Sequence, residues 1–259
     1  MPNPDPTPTI DTSADGLVAG TVQVPAGDIE IPAYRARPAG AGPFPIVVVV
    51  PEIFGVHAHI ADVARRFARL GYLALAPEPF VRQGDAHAIA DIETLVATVV
   101  SKAPDAQVMA DLDASVAWAA GDGGDLARLG MTGFCWGGRI TWLYAAHSAA
   151  LRAGVAWYGR LEGVPNPLQP VAPVGRAAAL QAPVLGLYGG ADAGIPLESV
   201  ERMRAALQAG SAEARRSEIV VYPEAKHAFH ADYRPAYDRA AAEDGWQRCL
   251  AWLRRHGVA

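Results

Sequence analysis

Hydrophobic residues along this chain fall into two alternating patterns, and their order predicts the fold. Ile46-Val47-Val48-Val49-Val50 is apolar without a break, as in a parallel-sheet strand covered on both faces. From His59 to Leu70 the pattern changes: Ile60, Val63, Ala64, Phe67 and Leu70 recur at helical spacing, and Gly71 supplies a stop. Tyr72-Leu73-Ala74-Leu75-Ala76 is again a buried strand, closed by Pro77. Upstream, Leu17 to Val24 and Ile29 to Arg37 read as strands joined by the turn Pro25-Ala26-Gly27-Asp28. Two helices are expected near Ile89 to Lys102 and Gln107 to Ala120, meeting at Pro104. A strand at Leu126–Thr132 and a helix at Arg139–His147 come next, then strands at Gly154–Tyr158 and Val184–Tyr188. A helix from Leu197 to Ala209, a strand from Glu218 to Tyr222 and a long helix from Ala236 to Arg255 complete the series. Such a succession implies an α/β fold, a mainly parallel central sheet with helices on both faces. With no repeat and no linker, residues 17–259 read as one domain. The proline-rich start, 1–16, reads as a disordered arm.

Composition narrows the function classes. The 259 residues are 51% hydrophobic and 19% charged, ordinary for a soluble globular chain. A net charge of −5, with no basic run longer than Arg-Arg, argues against a nucleic-acid partner. No apolar run approaches the roughly 18–20 residues that span a bilayer, and the start lacks the pattern of a signal peptide. Two cysteines, Cys135 and Cys249, are too few for a disulfide framework, so a reducing, cytoplasmic setting is expected.

The candidate chemistry sits where function gathers in parallel sheets, at the carboxyl ends of strands. Gly133-Phe134-Cys135-Trp136-Gly137-Gly138 lies between a strand and a helix. It has the form of a G-x-S-x-G nucleophile elbow with cysteine in place of serine. Glycines suit the forced backbone angles and the close strand–helix approach. The helix behind Cys135 turns its N-terminal amides toward the sulfur, which favours thiolate and can bind an oxyanion. Further on, Tyr188-Gly189-Gly190-Ala191-Asp192 and Tyr222-Pro223-Glu224-Ala225-Lys226-His227 each carry a strand into a loop with a polar residue. Nucleophile, acid, histidine is the chain order of α/β-hydrolase triads. The trio makes chemical sense, because a free thiol is only a few per cent ionised at neutral pH. An imidazole takes its proton, and a carboxylate fixes that imidazole's tautomer. Glu52, just past the strand Ile46–Val50, is a fourth candidate. Burial there would raise its pKa and let it exchange a proton with a nearby thiol.

These pieces, with Pro51-Glu52-Ile53-Phe54-Gly55-Val56 and Ala225-Lys226-His227-Ala228-Phe229, resemble the dienelactone hydrolase family of α/β-hydrolases from about Val22 to Arg254. The resemblance implies Cys135 as nucleophile, His227 as general base, Asp192 as its orienting acid and Glu52 as an aid to thiol deprotonation. It also implies an oxyanion hole from the backbone N–H groups of Ile53 and Trp136. The implied reaction is hydrolysis of an ester or lactone through an acyl-thioester, with no metal or organic cofactor. The expected partner is a small-molecule ester or lactone, with no nucleic acid or membrane, and the expected state a monomer or small homo-oligomer.

Family arginines that hold a substrate carboxylate lack clear counterparts: Ala231 stands at one such position, and Arg82 is the nearest candidate for the other. Tyr158 and Phe229 are further candidate pocket residues. The His57-x-His59 pair has no evident third metal ligand, His230 reads as pocket wall or surface, and Cys249 reads as core. Two alternatives stay open: a hydrolase-fold binding protein with weak catalysis, and a hydrolase of some other ester.

Overall fold

The structure, a computed structural model, describes residues 9–259. Eight strands form one sheet in the order β1-β2-β4-β3-β5-β6-β7-β8: β1 Leu17–Ala26, β2 Ile29–Pro38, β3 Phe44–Val50, β4 Leu73–Pro77, β5 Gly124–Phe134, β6 Ala153–Trp157, β7 Val184–Gly189 and β8 Glu218–Tyr222. Strands β1 and β2 run antiparallel to each other, as do β2 and β4; every pairing from β4 through β3 to β8 is parallel. This is the α/β arrangement that the hydrophobic pattern predicts. The reason is visible in the central strands: Ile46 to Val50, Leu73 to Ala76 and Val184 to Leu187 are buried throughout, covered on both faces.

Helices α1 (Ala58–Arg69), α2 (Ile92–Thr98), α3 (Asp105–Gly121), α4 (Trp136–His147), α5 (Pro173–Arg176), α6 (Leu197–Gln208), α7 (Ala212–Arg215) and α8 (Arg239–Arg255) complete the chain. Strand β5 shows how the layers form. A Cβ on Gly130 would meet Leu253 and Val258, at and beyond α8, whereas one on Gly133 would meet Gly137 and Thr141 of α4. Three residues apart, the two glycines face opposite sides of the sheet. Each lets a helix lie close. On the α8 side Phe67 of α1 packs on Trp246, ring centroids 4.7 Å apart; on the α4 side Tyr144 donates to Asp113 of α3 at 2.9 Å.

Two expectations change. The single helix expected over Ile89 to Lys102 is broken into α2 and a 3₁₀ turn at Val100–Lys102. Asp91 caps the start by accepting from Thr94 N–H, and Val99 leaves helical geometry at φ −121°. The arm expected over 1–16 lies partly outside the described residues. From Thr9 onward it is held: Ile10 N–H donates to Asp232 at 2.9 Å, Thr12 N–H to Asp62 at 2.5 Å, and Arg69 to the Ser13 carbonyl at 2.9 Å. Among the described residues no helix is long and apolar enough to cross a membrane.

Candidate active site

Cys135 stands between the last residue of β5 and the first of α4 at φ 54°, ψ −113°, a left-handed conformation that residues with a Cβ rarely adopt. Tight packing enforces it. A Cβ on Gly137 would overlap the Val50 carbonyl oxygen and stand 2.6 Å from that of Pro51; one on Gly138 would stand 2.6 Å from the Trp157 carbonyl oxygen. Cys135 N–H donates to that same Trp157 carbonyl at 3.0 Å. The turn has one way to run, and it leaves the half-buried thiol at the head of α4 on a cavity of about 700 Å³. Two other non-glycine residues have positive φ, Tyr158 (39°) and Ala228 (63°). Both belong to this site, so the strain among the described residues concentrates here.

Asp192 and His227 come from the loops after β7 and β8. His227 Nδ1 donates to Asp192 Oδ2 at 2.6 Å, and Gly194 N–H donates to Asp192 Oδ1 at 2.8 Å. A carboxylate only accepts, so Nδ1 carries a hydrogen, and Nε2 is the ring nitrogen left for the reaction. Burial disfavours charge on this ring, but hydrogen bonds to Asp192 and Cys135 and the charges of both raise its pKa to about 10.

Glu52, two residues beyond β3, is 1% exposed. His57 Nε2 donates to Glu52 Oε2 at 3.0 Å, and the Tyr233 hydroxyl donates to the same oxygen at 2.9 Å. Oε1 is buried and has no partner among the described residues. The raised pKa expected for this carboxyl is not found. Burial pushes it up, but the His57 hydrogen bond and charge, with help from His59 and Tyr233, outweigh burial and hold it below the ordinary value. Glu52 is therefore an ionised carboxylate at neutral pH.

Ile53 and Trp136 line the cavity with Cys135, and neither amide donates to an acceptor among the described residues. Tyr158 lines it too, its buried hydroxyl without a partner among those residues. Val96, Val100, Val164 and Ile195 supply apolar wall, the first two from the broken segment around α2. Arg139, Arg160 and Lys226 also reach the cavity. Arg139 is fixed by a two-pronged bond to Asp105, 2.7 Å on each prong, while Arg160 and Lys226 have no ion pair among the described residues.

Arg82, Phe229 and His230 do not stand where the sequence places them. Arg82 is not at the cavity: it bonds Asp28 at 2.5 Å, the Ala26 carbonyl at 2.7 Å and Asp111 at 3.2 Å, tying the β1–β2 hairpin to α3. Phe229 is fully buried against Trp157, Tyr158 and Tyr222 and lines no cavity. His230 is core, stacked on Phe134 and close to Trp157, and burial holds it neutral. His57 and His59 point to different partners, Glu52 and Asp232, so they form no joint metal site; no group of three metal-binding side chains occurs among the described residues. Cys249 is fully buried, and burial raises its pKa. The sequence reading missed His57 and Tyr233 as partners of Glu52. His57 had only its place five residues after Glu52 to signal it, and Tyr233 had no local signal.

The chain is similar to known proteins over nearly its whole length. The model of the dienelactone hydrolase family matches residues 31–257. A Methylorubrum extorquens protein named "Putative carboxymethylenebutenolidase" is 61% identical over 252 residues, 97% of this chain and 86% of that one. An Escherichia coli K12 protein of the same name is 56% identical over 249 residues, 96% and 91% of the two chains. The crystal structure titled "Putative Dienelactone Hydrolase" from Klebsiella pneumoniae superposes with a TM-score of 0.90 at 57% identity, covering 93% of this chain and all of the other.

Proposed function

This chain belongs to the dienelactone hydrolase family, a family of carboxylic ester hydrolases acting on small molecules, and from that premise we propose that it cleaves an ester or lactone through an acyl-thioester on Cys135. The observation that carries the proposal is the strained Cys135 turn beside an imidazole held by Asp192 at 2.6 Å.

The proton inventory assigns the roles. His227, its pKa raised to about 10 with Asp192 and a charged Cys135 beside it, is held protonated once the thiol has lost its proton, and so serves as acid. Glu52, ionised and with Oε1 lacking a partner among the described residues, is the base for the Cys135 thiol once substrate fills the cavity. Sγ attacks the carbonyl carbon, and the oxyanion accepts hydrogen bonds from the Ile53 and Trp136 amides, contacts worth roughly a hundred-fold in rate each. The C–O bond breaks as His227 Nε2–H protonates the leaving oxygen. His227, now neutral, takes a proton from water; the hydroxide attacks the thioester, and the departing Cys135 sulfur takes back the proton that Glu52 holds. An enolate leaving group, as in a dienelactone, suits a thiol because it departs readily.

Apolar wall, together with Arg160 and Lys226, which have no ion pair among the described residues, favours a mainly apolar acyl group with room for an anionic substituent. Tyr158 has a free hydroxyl to donate to it. The test compares p-nitrophenyl acetate and dienelactone hydrolysis by the wild type and Cys135→Ala. The expected result is turnover by the wild type and a loss of at least about 10⁴-fold in the variant. Equal rates would overturn the assignment.

A further inference from the structure

The Glu52 carboxylate is bonded unequally. Both of its donors, His57 Nε2 and the Tyr233 hydroxyl, converge on Oε2, while Oε1 is buried without a partner among the described residues. The donors come from different parts of the chain. His57 is the residue before α1, and Tyr233 lies six residues past His227. A carboxylate held by one oxygen alone can swing about its terminal bond; two donors approaching one oxygen from separate loops prevent that. The His57 and Tyr233 rings brace each other edge to face, centroids 5.0 Å apart.

These two residues do not line the cavity that holds Cys135. They line a second cavity of about 680 Å³, with Phe54 and Arg234. Glu52 lines neither cavity and takes both of its donors from the second one. We propose that His57, with Tyr233, is a positioning residue for the reaction. By occupying Oε2 from the second cavity it leaves Oε1, the oxygen with no donor among the described residues, to take the thiol proton, without touching substrate. The proposal rests on the reading above that Glu52 deprotonates Cys135.

The proton balance is simple. The hydrogen leaves Sγ and joins Oε1. His57 keeps its Nε2 hydrogen throughout and donates to Oε2 before and after the transfer.

The test is steady-state kinetics of four variants on p-nitrophenyl acetate, with melting temperature as a check on folding. Glu52→Gln reports whether Glu52 matters at all. His57→Leu removes the donor, and His57→Gln restores an N–H at a similar reach. Tyr233→Phe removes the second donor with little change in shape. Losing a hydrogen bond to a charged group, His57→Leu should lower kcat about tenfold with KM within about twofold. His57→Gln should recover most of that loss, and Tyr233→Phe should fall between. If Glu52→Gln is impaired while His57→Leu keeps the wild-type kcat, the positioning role is overturned and the Glu52 reading stands. Should Glu52→Gln itself match the wild type, the Glu52 reading fails and takes the proposal with it. A raised KM at constant kcat in His57→Leu, or a His57→Gln variant as slow as His57→Leu, also overturns the hydrogen-bond anchor.

Discussion

Asp192 holds His227 with one carboxylate oxygen and its own loop with the other: Oδ2 accepts from Nδ1 at 2.6 Å, and Oδ1 accepts from Gly194 N–H at 2.8 Å. Fixed at both ends, the carboxylate sets the direction and the charge of the imidazole together. Opposed by burial but carried by Asp192 and Cys135, the ring's pKa stands near 10 instead of 6.5. The free enzyme needs the imidazolium to protonate the leaving group, so kcat/KM should fall as pH rises through about 10. Asp192→Asn removes the charge that favours the imidazolium, so its alkaline limb should move to lower pH. A pH–rate series on both proteins checks this. Stability follows the same sign. A raised folded pKa contributes fully below 6.5 and is lost between there and about 10. The melting temperature of the wild type relative to His227→Gln should therefore fall over that window.

The glycines of the elbow make a different kind of prediction. Gly137→Ala would press a methyl group on the carbonyl oxygens of Val50 and Pro51, which are backbone of the central strand's end and cannot give way. It should abolish activity and lower the melting temperature by several degrees or more, through overpacking that costs about 1–3 kcal/mol. Gly121, the last residue of α3, has nothing within 4 Å of a Cβ and no positive φ. Gly121→Ala should raise stability by about 0.5–1 kcal/mol and leave kcat unchanged. Thermal unfolding of the pair separates close backbone approach from mere composition.

Most of the scaffold was legible before any coordinates. Unbroken apolar runs such as Ile46–Val50 reported strands covered on both faces, and helical spacing from Ile60 to Leu70 reported α1 to within a residue or two. The elbow and the loops carrying Asp192 and His227 were legible because each follows a strand directly. What stayed hidden depended on contacts across long sequence separations. Tyr233 reaches Glu52 over 181 residues, and no local pattern encodes that. Burial alone suggested a raised pKa for Glu52; the sign reversed because His57 donates to it. The α2 region has apolar residues at near-helical spacing, yet Val99 and Val100 end the helix early and turn the segment into a cavity wall.

The cations of the cavity differ from the one the sequence pointed to. Arg82 is tied to Asp28 and Asp111 and is not among the residues lining the cavity, so Arg82→Ala should leave KM unchanged. Arg160 has no ion pair among the described residues and lines the cavity. Arg160→Ala should raise KM about threefold for an ester bearing a carboxylate and leave KM for p-nitrophenyl acetate alone, the scale of an exposed charge pair. Arg139 is held by Asp105, so Arg139→Ala should act on stability as much as on binding. Parallel KM measurements on the charged and neutral ester distinguish the three.

The two cysteines should behave as different chemical species. Cys135 lines the open cavity, at the head of α4 and beside His227. Cys249 is fully buried in α8, and burial raises its pKa, which suppresses the thiolate that disulfide reagents attack. Titration of the native protein with a thiol-reactive disulfide should therefore show one fast equivalent, and a second only after unfolding. Cys249→Ala should keep the fast phase in full, and Cys135→Ala should lose it together with the esterase activity. A fast phase that survives in Cys135→Ala would mean that the exposed thiol and the nucleophile are not the same group. One that vanishes in Cys249→Ala would mean that the two cysteines communicate, and thiol redox chemistry would then compete with hydrolysis as the use of Cys135.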